Sequence, residues 1–382
     1  MRTLSIVWML AAPAVALAAD PMASPVYVSG RDGYHTYRIP ALIVSKNGTA
    51  LAFAEGRKSG RGDSGDIDML VKRSADGGRT WSAHTVVWDD GLNTCGNACP
   101  VVDQRTGRIV LLMTWNRGED HGGDLHKGTA QGTRRVFVAT SDDDGRTWSK
   151  PREITAETKA ADWWWYATGP GVGIQLERGP HKGRLVIPAN HSSAANGYGA
   201  HTIYSDDGGE TWKRSNAIQP ACNESQVAEL ADGTLMMNMR SQSPTNQERT
   251  GYRSIAFSRD GGATWSAPEF DAHLGDPAVQ ASLLRFSWSE DGGDRLVFSN
   301  PSPPIQPARG ERIDMTVRAS PDGGKSWPWA RQIHHGPSGY SSLTRLPDGS
   351  IGILFEGGEK SYSEALLFES FSLDWLEGGA AR

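Results

Sequence analysis

Cysteine, excess basic charge and long apolar runs are all scarce in this sequence. Its three cysteines are Cys95, Cys99 and Cys222, and no cysteine or histidine pair has the spacing typical of a zinc site. The formal net charge of −5 offers no basic surface for a nucleic acid. Past the N-terminus no apolar run is long enough to span a bilayer. We therefore expect no metal or other cofactor, no nucleic-acid partner and no membrane span in the mature chain.

The N-terminus has the features of an export signal. Arg2 precedes an apolar run over residues 4–12, and Ala16-Leu17-Ala18 follows as a small-x-small cleavage pattern. We predict a signal peptide over residues 1–19 and a single domain over residues 20–382, secreted or periplasmic after cleavage. A short N-terminal anchor is the alternative. In an exported chain a disulfide between Cys95 and Cys99 and free buried thiols are equally open.

Glycine and tryptophan are abundant, with 45 and 14 copies, and both recur in an eight-residue pattern. The pattern occurs five times, beginning at Ser74, Ser141, Ser205, Ser258 and Ser320. Each copy follows a strand-like stretch, such as His201–Tyr204. Its Asp can accept hydrogen bonds from the turn amides, its glycine can adopt a left-handed backbone, and its Trp can cover the hairpin. Each copy therefore predicts a strand, a tight turn and a return strand.

A second pattern, a glycine turn followed by an apolar strand, lies between these copies. It occurs six times, beginning at Gly48, Gly107, Gly183, Gly233, Gly293 and Gly349. Two hairpins in each period of about sixty residues predict one four-stranded antiparallel sheet per period. Six such sheets favour an all-β, six-bladed β-propeller over a β-solenoid, whose periods are shorter and more regular. The sixth blade lacks the octapeptide, and we expect residues 365–369 and a segment near Val26–Val28 to complete it.

Polar residues follow the strands of the second pattern, among them Glu55, Arg57 and Glu356. If the six units are equivalent, these strand ends converge on one axis and form a site, since buried charges are costly unless paired or bound to a ligand. Arginines from three separate units add to this set, namely Arg38, Arg240 and Arg312. Guanidinium groups match the two oxygens of a carboxylate, although each arginine could instead pair with a local acid.

Tyr37-Arg38-Ile39-Pro40 precedes the five octapeptides, and this order is similar to that of one family. The chain resembles the bacterial exo-α-sialidases, or neuraminidases, whose Asp-box (BNR) repeat has the octapeptide pattern. Asp boxes alone are weak evidence because other secreted propellers carry them, but together with the arginine motif they are strong evidence. The resemblance covers essentially the whole mature chain.

The resemblance implies a role for each of several residues. A carboxylate-binding triad would consist of Arg38, Arg240 and Arg312. Tyr340 would be the catalytic nucleophile, Glu224 the acid that activates it, and Asp63 the acid/base, with Asp66 as a possible substitute. Glu356 would orient Arg38.

Further residues are expected around the substrate. Arg57 is assigned to substrate binding, and Asn97, His191 and Asn190 to pockets for the amide and glycerol arms. Arg253 is an alternative candidate for the second arginine, and we expect it to be structural. Trp163-Trp164-Trp165-Tyr166 could stack on sugars or fill an interface between blades.

The family reaction implied by the resemblance is retaining hydrolysis of terminal α-linked sialic acids through a tyrosyl-enzyme intermediate. The expected partners are sialylated glycans, glycoproteins or glycolipids. A neutral tyrosine suits a reacting carbon that itself bears a carboxylate, which would repel a carboxylate nucleophile. The alternatives are a trans-sialidase, an intramolecular trans-sialidase and a non-catalytic sialic-acid-binding lectin. A pure binder would need the arginines but not Tyr340, Glu224 and Asp63.

Overall fold

Strands dominate the part of the chain that the computed structural model describes, residues 23–242, 251–303 and 310–379. The described residues form twenty-four strands and three short helices, α1 (Gly122–Lys127), α2 (Thr155–Thr158) and α3 (Leu373–Leu376). None of these described helices is long or apolar enough to cross a membrane. The predicted signal peptide, residues 1–19, lies outside the described residues.

The described strands form four hydrogen-bonded sheets of eight, five, four and seven strands. The eight-stranded sheet contains two successive antiparallel meanders joined by one parallel bridge, Ile67 opposite Thr94, and the seven-stranded sheet contains two that share a strand, so the chain can be followed as six meanders. The first is β2 (Thr36–Val44), β3 (Ala50–Arg57), β4 (Ile67–Ser74) and β5 (Thr85–Trp88), and the second is β6 (Thr94–Val102), β7 (Ile109–Asn116), β8 (Arg135–Ser141) and β9 (Arg152–Glu153). The third is β10 (Trp163–Thr168) and β11 (Ile174–Gln175), which both pair with β12 (Leu185–Ser193), then β13 (Gly197–Ser205) and β14 (Lys213–Arg214). The fourth is β15 (Cys222–Glu229), β16 (Leu235–Ser241), β17 (Tyr252–Ser258) and β18 (Glu269–Gly275).

The fifth and sixth meanders share one long strand. The fifth is β19 (Ser282–Ser287), β20 (Arg295–Pro301), β21 (Ile313–Ser320) and the first half of β22 (Trp329–Arg345). The sixth is the second half of β22, β23 (Ile351–Gly357), β24 (Ala365–Phe371) and β1 (Ser24–Val28). The pairing of the N-terminal β1 with β24, Val28 opposite Ala365, confirms the predicted completion of the sixth unit by two distant segments.

Both sequence repeats are confirmed as strands in fixed places. The second strand of each meander is the apolar strand that follows a glycine turn, and the third strand of the first five leads into an octapeptide. First strands of neighbouring meanders contact each other: β22 contacts β2, β2 contacts β6, and β6 contacts β10. On the other side β15 contacts β12 and β19, and β19 contacts β22.

The apolar core is divided into layers between consecutive meanders. One buried cluster, with Phe53 and Leu111, lies between the first and second meanders, and another, with Leu42 and Leu354, lies between the sixth and first. Similar clusters fill the four remaining junctions. Since one face of each sheet is buried against the next, no meander can bury its apolar side chains alone.

The octapeptides form a local hydrogen-bonded turn that links neighbouring meanders. In Ser205–Trp212 the Ser205 hydroxyl donates to Asp207 Oδ1 at 2.7 Å, and the Thr211 amide donates to the same oxygen at 3.0 Å. Gly208 and Gly209 adopt φ of 76° and 96°, as the turn predicts. The prediction that each Trp covers its own hairpin is wrong for two copies, since Trp81 packs on Phe368 and Trp148 on Phe53 of the preceding meander. Trp327, by contrast, lies on Phe298 of its own meander. Trp148 is partly buried at the junction between the first two meanders.

Replacing Asp207 with alanine is expected to lower the free energy of unfolding by about 1–2 kcal/mol, because several turn donors lose their acceptor. Urea denaturation measures this change. Glu210→Ala in the same turn, whose exposed side chain pairs only with Arg108, should change it by less than about 0.5 kcal/mol. Neither variant should alter kcat/KM, and a large loss of activity in Asp207→Ala would contradict a purely structural role for the octapeptide.

All three cysteines are buried and free. The Cys95–Cys99 disulfide, which the sequence left open, is therefore not formed in this structure. Burial raises the pKa of both thiols above the usual range. Two buried thiols of this kind behave as small apolar side chains.

Candidate active site

Bulges in the first strands bring the predicted site residues together. The register of β2 shifts after Arg38, and that of β6 shifts around Asn97. Similar shifts surround Glu224 in β15 and Tyr340 in β22. A bulge bends its strand and re-aims the side chains beside it, so four meanders each present one of these residues where the regular pleat is broken. The backbone of Ile39, in the first of these bulges, has φ of 60°, a strained conformation for a β-branched residue.

Tyr340, Glu224 and Arg240 form one hydrogen-bonded chain. The Tyr340 hydroxyl donates to Glu224 Oε1, and Arg240 Nη1 donates to Glu224 Oε2 at 2.8 Å. All three side chains are largely buried. Burial raises the pKa of Tyr340 above its usual value and Glu224 raises it further, while the nearby arginines oppose both effects. The hydroxyl is therefore protonated at rest and has a carboxylate in place to receive its proton.

Glu356 fixes Arg38 and the two adjacent bulges at once. Its carboxylate accepts hydrogen bonds from Arg38 Nε at 2.9 Å and Nη2 at 3.1 Å. It also accepts from the backbone amides of Ile39 and Tyr340, both at 3.1 Å. Gly339 leaves room for it, since a Cβ there would lie 2.2 Å from Glu356 Oε2. One fully buried carboxylate thus sets both the direction of Arg38 and the backbone that carries Tyr340.

Arg312 is the third predicted arginine, and it lies on the same tyrosine. Its guanidinium carbon is 5.9 Å from the centre of the Tyr340 ring, and that of Arg38 is 5.1 Å away. Arg312 Nη2 donates to the carbonyl of Ala278 at 2.9 Å. Tyr362 is close to both guanidinium groups, at 5.3 Å from Arg38 and 5.7 Å from Arg312. Three arginines from the first, fourth and fifth meanders therefore surround Tyr340.

Asp63 lies at the open edge of this group. Arg57 Nη1 is 2.8 Å from Asp63 Oδ1, and Arg38 Nη1 is 3.6 Å from it, while 61% of the Asp63 side chain is exposed. Lost hydration raises the pKa of Asp63, but the charges of Arg57 and then Arg38 outweigh this and hold it below 3.8. Asp66, the possible substitute, makes no ion pair with either arginine among the described residues, and its own pKa is raised by burial.

Arg57 is buried and held by a carboxylate that the sequence analysis gave no role. Glu55 accepts from Arg57 Nε at 3.1 Å and Nη2 at 2.6 Å. It also accepts from the backbone amide of Asn97 at 2.9 Å. Glu55 thus does for Arg57 and the bulge of the second meander what Glu356 does for Arg38 and the bulge of the first. The equivalence of the strand ends was visible in the sequence, but the partner of each acid was not.

The residues predicted for the substrate pockets are all buried, with 8% of Asn97 and 1% of Asn190 exposed. The side-chain oxygen of Asn97 accepts from Thr114 at 3.0 Å. Asn190 Oδ1 accepts from Trp165 Nε1 at 3.2 Å. His191 is 0% exposed, stacks on Trp163 at 3.5 Å, and has its pKa lowered to about 3 by burial. Because its ring is enclosed by protein, His191 does not line an open pocket, and this part of the prediction needs correction.

Arg253 occupies a closed structural position, as predicted. It is 0% exposed, donates to Asn238 Oδ1 at 2.8 Å and to the Val279 carbonyl at 2.7 Å, and lies 3.5 Å from Asp276. Asp276 in turn accepts from the amide of Ala278, whose carbonyl binds Arg312. Arg253 therefore supports the turn behind Arg312 rather than facing the site.

Several residues near the site escaped the sequence analysis. Arg134 donates to Asn97 Oδ1, and Trp165 stacks on His126 at 4.2 Å and on the Arg134 guanidinium at 3.8 Å. Trp163 and Trp165 are thus occupied by protein partners, which favours the interface reading of the aromatic run over sugar stacking. Arg134 and Tyr362 belong to neither repeat, so no periodicity marked them. Within the described residues no group of three His, Cys, Asp or Glu side chains is arranged to hold a metal ion.

Known proteins share both this fold and this sequence pattern. Residues 48–353 match the family described as a BNR repeat-like domain. The chain is 37% identical to the sialidase of Micromonospora viridifaciens over 96% of its own length and 58% of that protein. It is 35% identical to the exo-alpha-sialidase of Aspergillus fumigatus, over 94% of this chain and 89% of that protein. The solved structure of the Hadza microbial sialidase Hz136 superposes with a TM-score of 0.82 at 33% identity, over 93% of this chain and 69% of that one.

The all-β meanders and the arginine-lined tyrosine, together with these relatives, define a glycoside hydrolase. The chain belongs to the sialidase family. It spans somewhat more than half the length of the Micromonospora sialidase and most of the Aspergillus one.

Proposed function

We propose that this chain is an exo-α-sialidase that removes terminal α-linked sialic acids from glycoconjugates with retention of configuration. The observation that carries the proposal is the hydrogen-bonded chain of Tyr340, Glu224 and Arg240, with Arg38 and Arg312 on the same tyrosine. Three guanidinium groups from separate meanders suit a single carboxylate, the group that sialic acid bears on its reacting carbon.

In the first step the three arginines bind the substrate carboxylate and orient the sugar ring. The Tyr340 oxygen attacks the anomeric carbon, while its proton passes to Glu224 through the existing hydrogen bond. Asp63 gives a proton to the departing oxygen, and the bond to the aglycone breaks. In the second step Asp63 takes a proton from water, and the water oxygen attacks the same carbon. The bond to the Tyr340 oxygen breaks, and Glu224 returns its proton to that oxygen. Two displacements at one carbon return the original configuration.

The tyrosine suits this site for an electrostatic reason. A carboxylate nucleophile would carry a charge of the same sign as the substrate carboxylate beside the reacting carbon. Tyr340 is neutral until it attacks, since burial and Glu224 keep the pKa of its hydroxyl high. The substrate carboxylate neutralises the charges of Arg38 and Arg312. The Tyr340 proton can therefore move to Glu224 without leaving a free charge in the buried site.

The proposed frame is a six-bladed propeller with one meander in each blade. Support comes from the contacts that link each meander to the next, from the six core clusters at successive junctions, and from the pairing of β1 with β24. In this arrangement the bulges carrying Arg38, Asn97, Glu224 and Tyr340 face a common centre. We also propose, from the N-terminal sequence, that residues 1–19 are removed on export and that the enzyme acts outside the cytoplasm.

Product analysis tests the proposed function. Incubation with a fluorogenic sialoside should release the fluorophore, whereas a sialic-acid-binding lectin would release none. With sialyllactose and added lactose, free sialic acid should be the product; a new sialoside or an anhydro sugar would indicate one of the transferase alternatives. Proton NMR of the first product should show the α-anomer, and initial release of the β-anomer would contradict retention.

The pH dependence of activity should follow the charges around Asp63. Asp63 must carry a proton in order to protonate the leaving oxygen, yet Arg57 and Arg38 hold the pKa of Asp63 low in the free protein. Bound substrate shields Asp63 from water, and the substrate carboxylate offsets the charge of Arg38. The pKa of Asp63 therefore rises on binding. We expect the alkaline limb of the kcat profile to lie at higher pH than that of kcat/KM.

Arg57→Met should move the alkaline limb of kcat/KM upward by about 1 pH unit or more, because removing an adjacent cation raises the pKa of a carboxyl group. Arg57→Lys keeps the charge and should leave the limb near its wild-type position, even if both variants lower the rate. A limb that stays in place in Arg57→Met would show that another group controls it.

A further inference from the structure

Arg134 is a buried cation that belongs neither to a surface ion pair nor to the residues placed against the substrate. The residue is 2% exposed and immediately precedes β8. Its hydrogen bonds within the described residues all go to neutral oxygens, whereas Arg38, Arg57 and Arg240 each face a carboxylate. Burial lowers the pKa of Arg134 to about 10, so the group still carries its charge at neutral pH. Among the described residues Arg134 makes no direct ion pair, although the charges of Glu55 and Asp63 favour its ionised form. A buried charge without a direct partner is unfavourable for stability, and its presence calls for a functional reason.

The acceptors of Arg134 lie on four different segments around the acid/base candidate, the weakest being the Tyr166 carbonyl at 3.5 Å from Nη1. Nη1 donates to Asn97 Oδ1 at 2.6 Å and Nε to Asn116 Oδ1 at 3.0 Å. Nη2 donates to the backbone carbonyl of Asp63 at 3.3 Å. The face of the guanidinium lies on the ring of Trp165. The planar, forked guanidinium can serve all of these partners together, which a lysine could not do.

Several contacts hold the Asp63 loop, which joins β3 to β4, on either side of Asp63. The Gly65 amide donates to Thr94 Oγ1 at 3.1 Å, Thr94 donates to the Gly65 carbonyl at 2.9 Å, and Arg57 donates to the Arg61 carbonyl. At Asp63 itself the mostly exposed side chain faces Arg57 and Arg38, and the backbone carbonyl accepts from Arg134. Arg134 therefore ties the Asp63 backbone directly to the second meander.

We propose that Arg134 is a positioning residue that holds the backbone of Asp63, so that its carboxyl group is aligned with the leaving oxygen. This inference rests on the proposed function, in which Asp63 protonates that oxygen. Arg134 itself does not reach the substrate, since Asn97, Trp165 and the Asp63 loop enclose it. Its charge also favours the ionised form of Asp63, which is the form needed to activate water in the second step.

Leaving-group dependence separates this role from a general structural one. Acid assistance matters most when the departing oxygen belongs to a sugar, and little when it belongs to an acidic phenol. Arg134→Met should reduce kcat/KM for sialyllactose by about 100-fold and that for a nitrophenyl sialoside by less than about 5-fold, because only the former depends on an aligned acid. Equal losses on both substrates would overturn the proposal.

Arg318→Met is a matched control. Arg318 is also largely buried with its pKa lowered to about 10, and its hydrogen bonds go to the neutral Asn300 Oδ1 and Ser302 Oγ. The loss of this arginine should affect the two substrates to the same extent. Thermal unfolding of each variant checks that the protein is folded; if Arg134→Met does not fold, Arg134→Lys, which retains the charge but not the fork, should show the same dependence on leaving group.

A double variant tests whether Arg134 acts through Asp63. In the Asp63→Ala background, Arg134→Met should lower kcat/KM for sialyllactose by less than about 3-fold, since the group it positions is already absent. Losses that multiply would contradict the inference. These outcomes are distinct from a failure of the proposed function, which would appear as a wild-type protein that hydrolyses neither substrate.

Discussion

Tyr340→Phe is expected to lower the turnover of sialyllactose on the order of 10³-fold or more, because it removes the oxygen that forms the covalent intermediate. The phenylalanine ring keeps the packing against Ile39 and Val279. Glu224 keeps its ion pair with Arg240, so the arginines remain in place. Binding of a sialic-acid analogue, measured by calorimetry, should therefore stay within about 3-fold of wild type, since its carboxylate contacts are retained.

Tyr27→Phe is the matched control for this variant. Tyr27 is also buried, and its hydroxyl donates a single hydrogen bond to the Ala52 carbonyl at 2.9 Å, within the junction between the sixth and first meanders. The loss of this hydroxyl group should lower the free energy of unfolding by about 1 kcal/mol and leave turnover unchanged. Wild-type turnover of sialyllactose by Tyr340→Phe would remove the tyrosine from the mechanism.

Glu356→Ala should destabilise the fold by about 3–5 kcal/mol and abolish measurable hydrolysis, because it leaves Arg38 buried without its partner. Four hydrogen bonds converge on this carboxylate, two from Arg38 and two from the amides of Ile39 and Tyr340. The strained Ile39 backbone loses the acceptor that holds it. Urea denaturation gives the change in stability, and kcat/KM gives the change in activity.

The double variant Arg38→Met/Glu356→Ala distinguishes an unpaired charge from a simple loss of packing. Removing both partners eliminates the buried cation, so the double variant should be more stable than Glu356→Ala alone. It should remain inactive, because the carboxylate-binding arginine is gone. If the second substitution lowers stability further, the cost of Glu356→Ala does not come from Arg38.

The sequence was informative wherever the chemistry is local. The octapeptide turn is closed by bonds between residues two to four positions apart, such as Ser205 to Asp207 and Thr211 to Asp207, so its eight residues specify its shape. The strand positions followed from two repeats whose period matches one meander. The predicted roles came from a family resemblance, and the geometry brings Arg38, Arg240, Arg312, Glu224 and Tyr340 into one cluster around the tyrosine.

The incorrect predictions and the missed residues are those whose role depends on where the side chain packs in the folded protein. His191 follows an apolar strand just as Glu55 and Glu356 do, yet its ring is stacked inside the third meander. The Trp of each octapeptide was expected on its own hairpin, but Trp81 and Trp148 lie on the neighbouring meander. Both outcomes depend on the tertiary packing around the side chain, which the order of residues along the chain does not show.

By itself the sequence determined the all-β class, the repeating pattern of strands and turns and the residue types available for chemistry, because turns and strands depend on neighbours along the chain. Only the tertiary structure decided which acid meets which arginine. Arg38 and Glu356 are separated by 318 residues, and Glu224 and Tyr340 by 116. Such pairs form once the meanders have packed. Bulges in first strands re-aim Arg38, Glu224 and Tyr340, whereas Glu356 lies on the regular strand β23, and a backbone bulge leaves no periodic mark in the sequence. The same reason explains why Arg134, buried behind Asp63, could be found only in the folded protein.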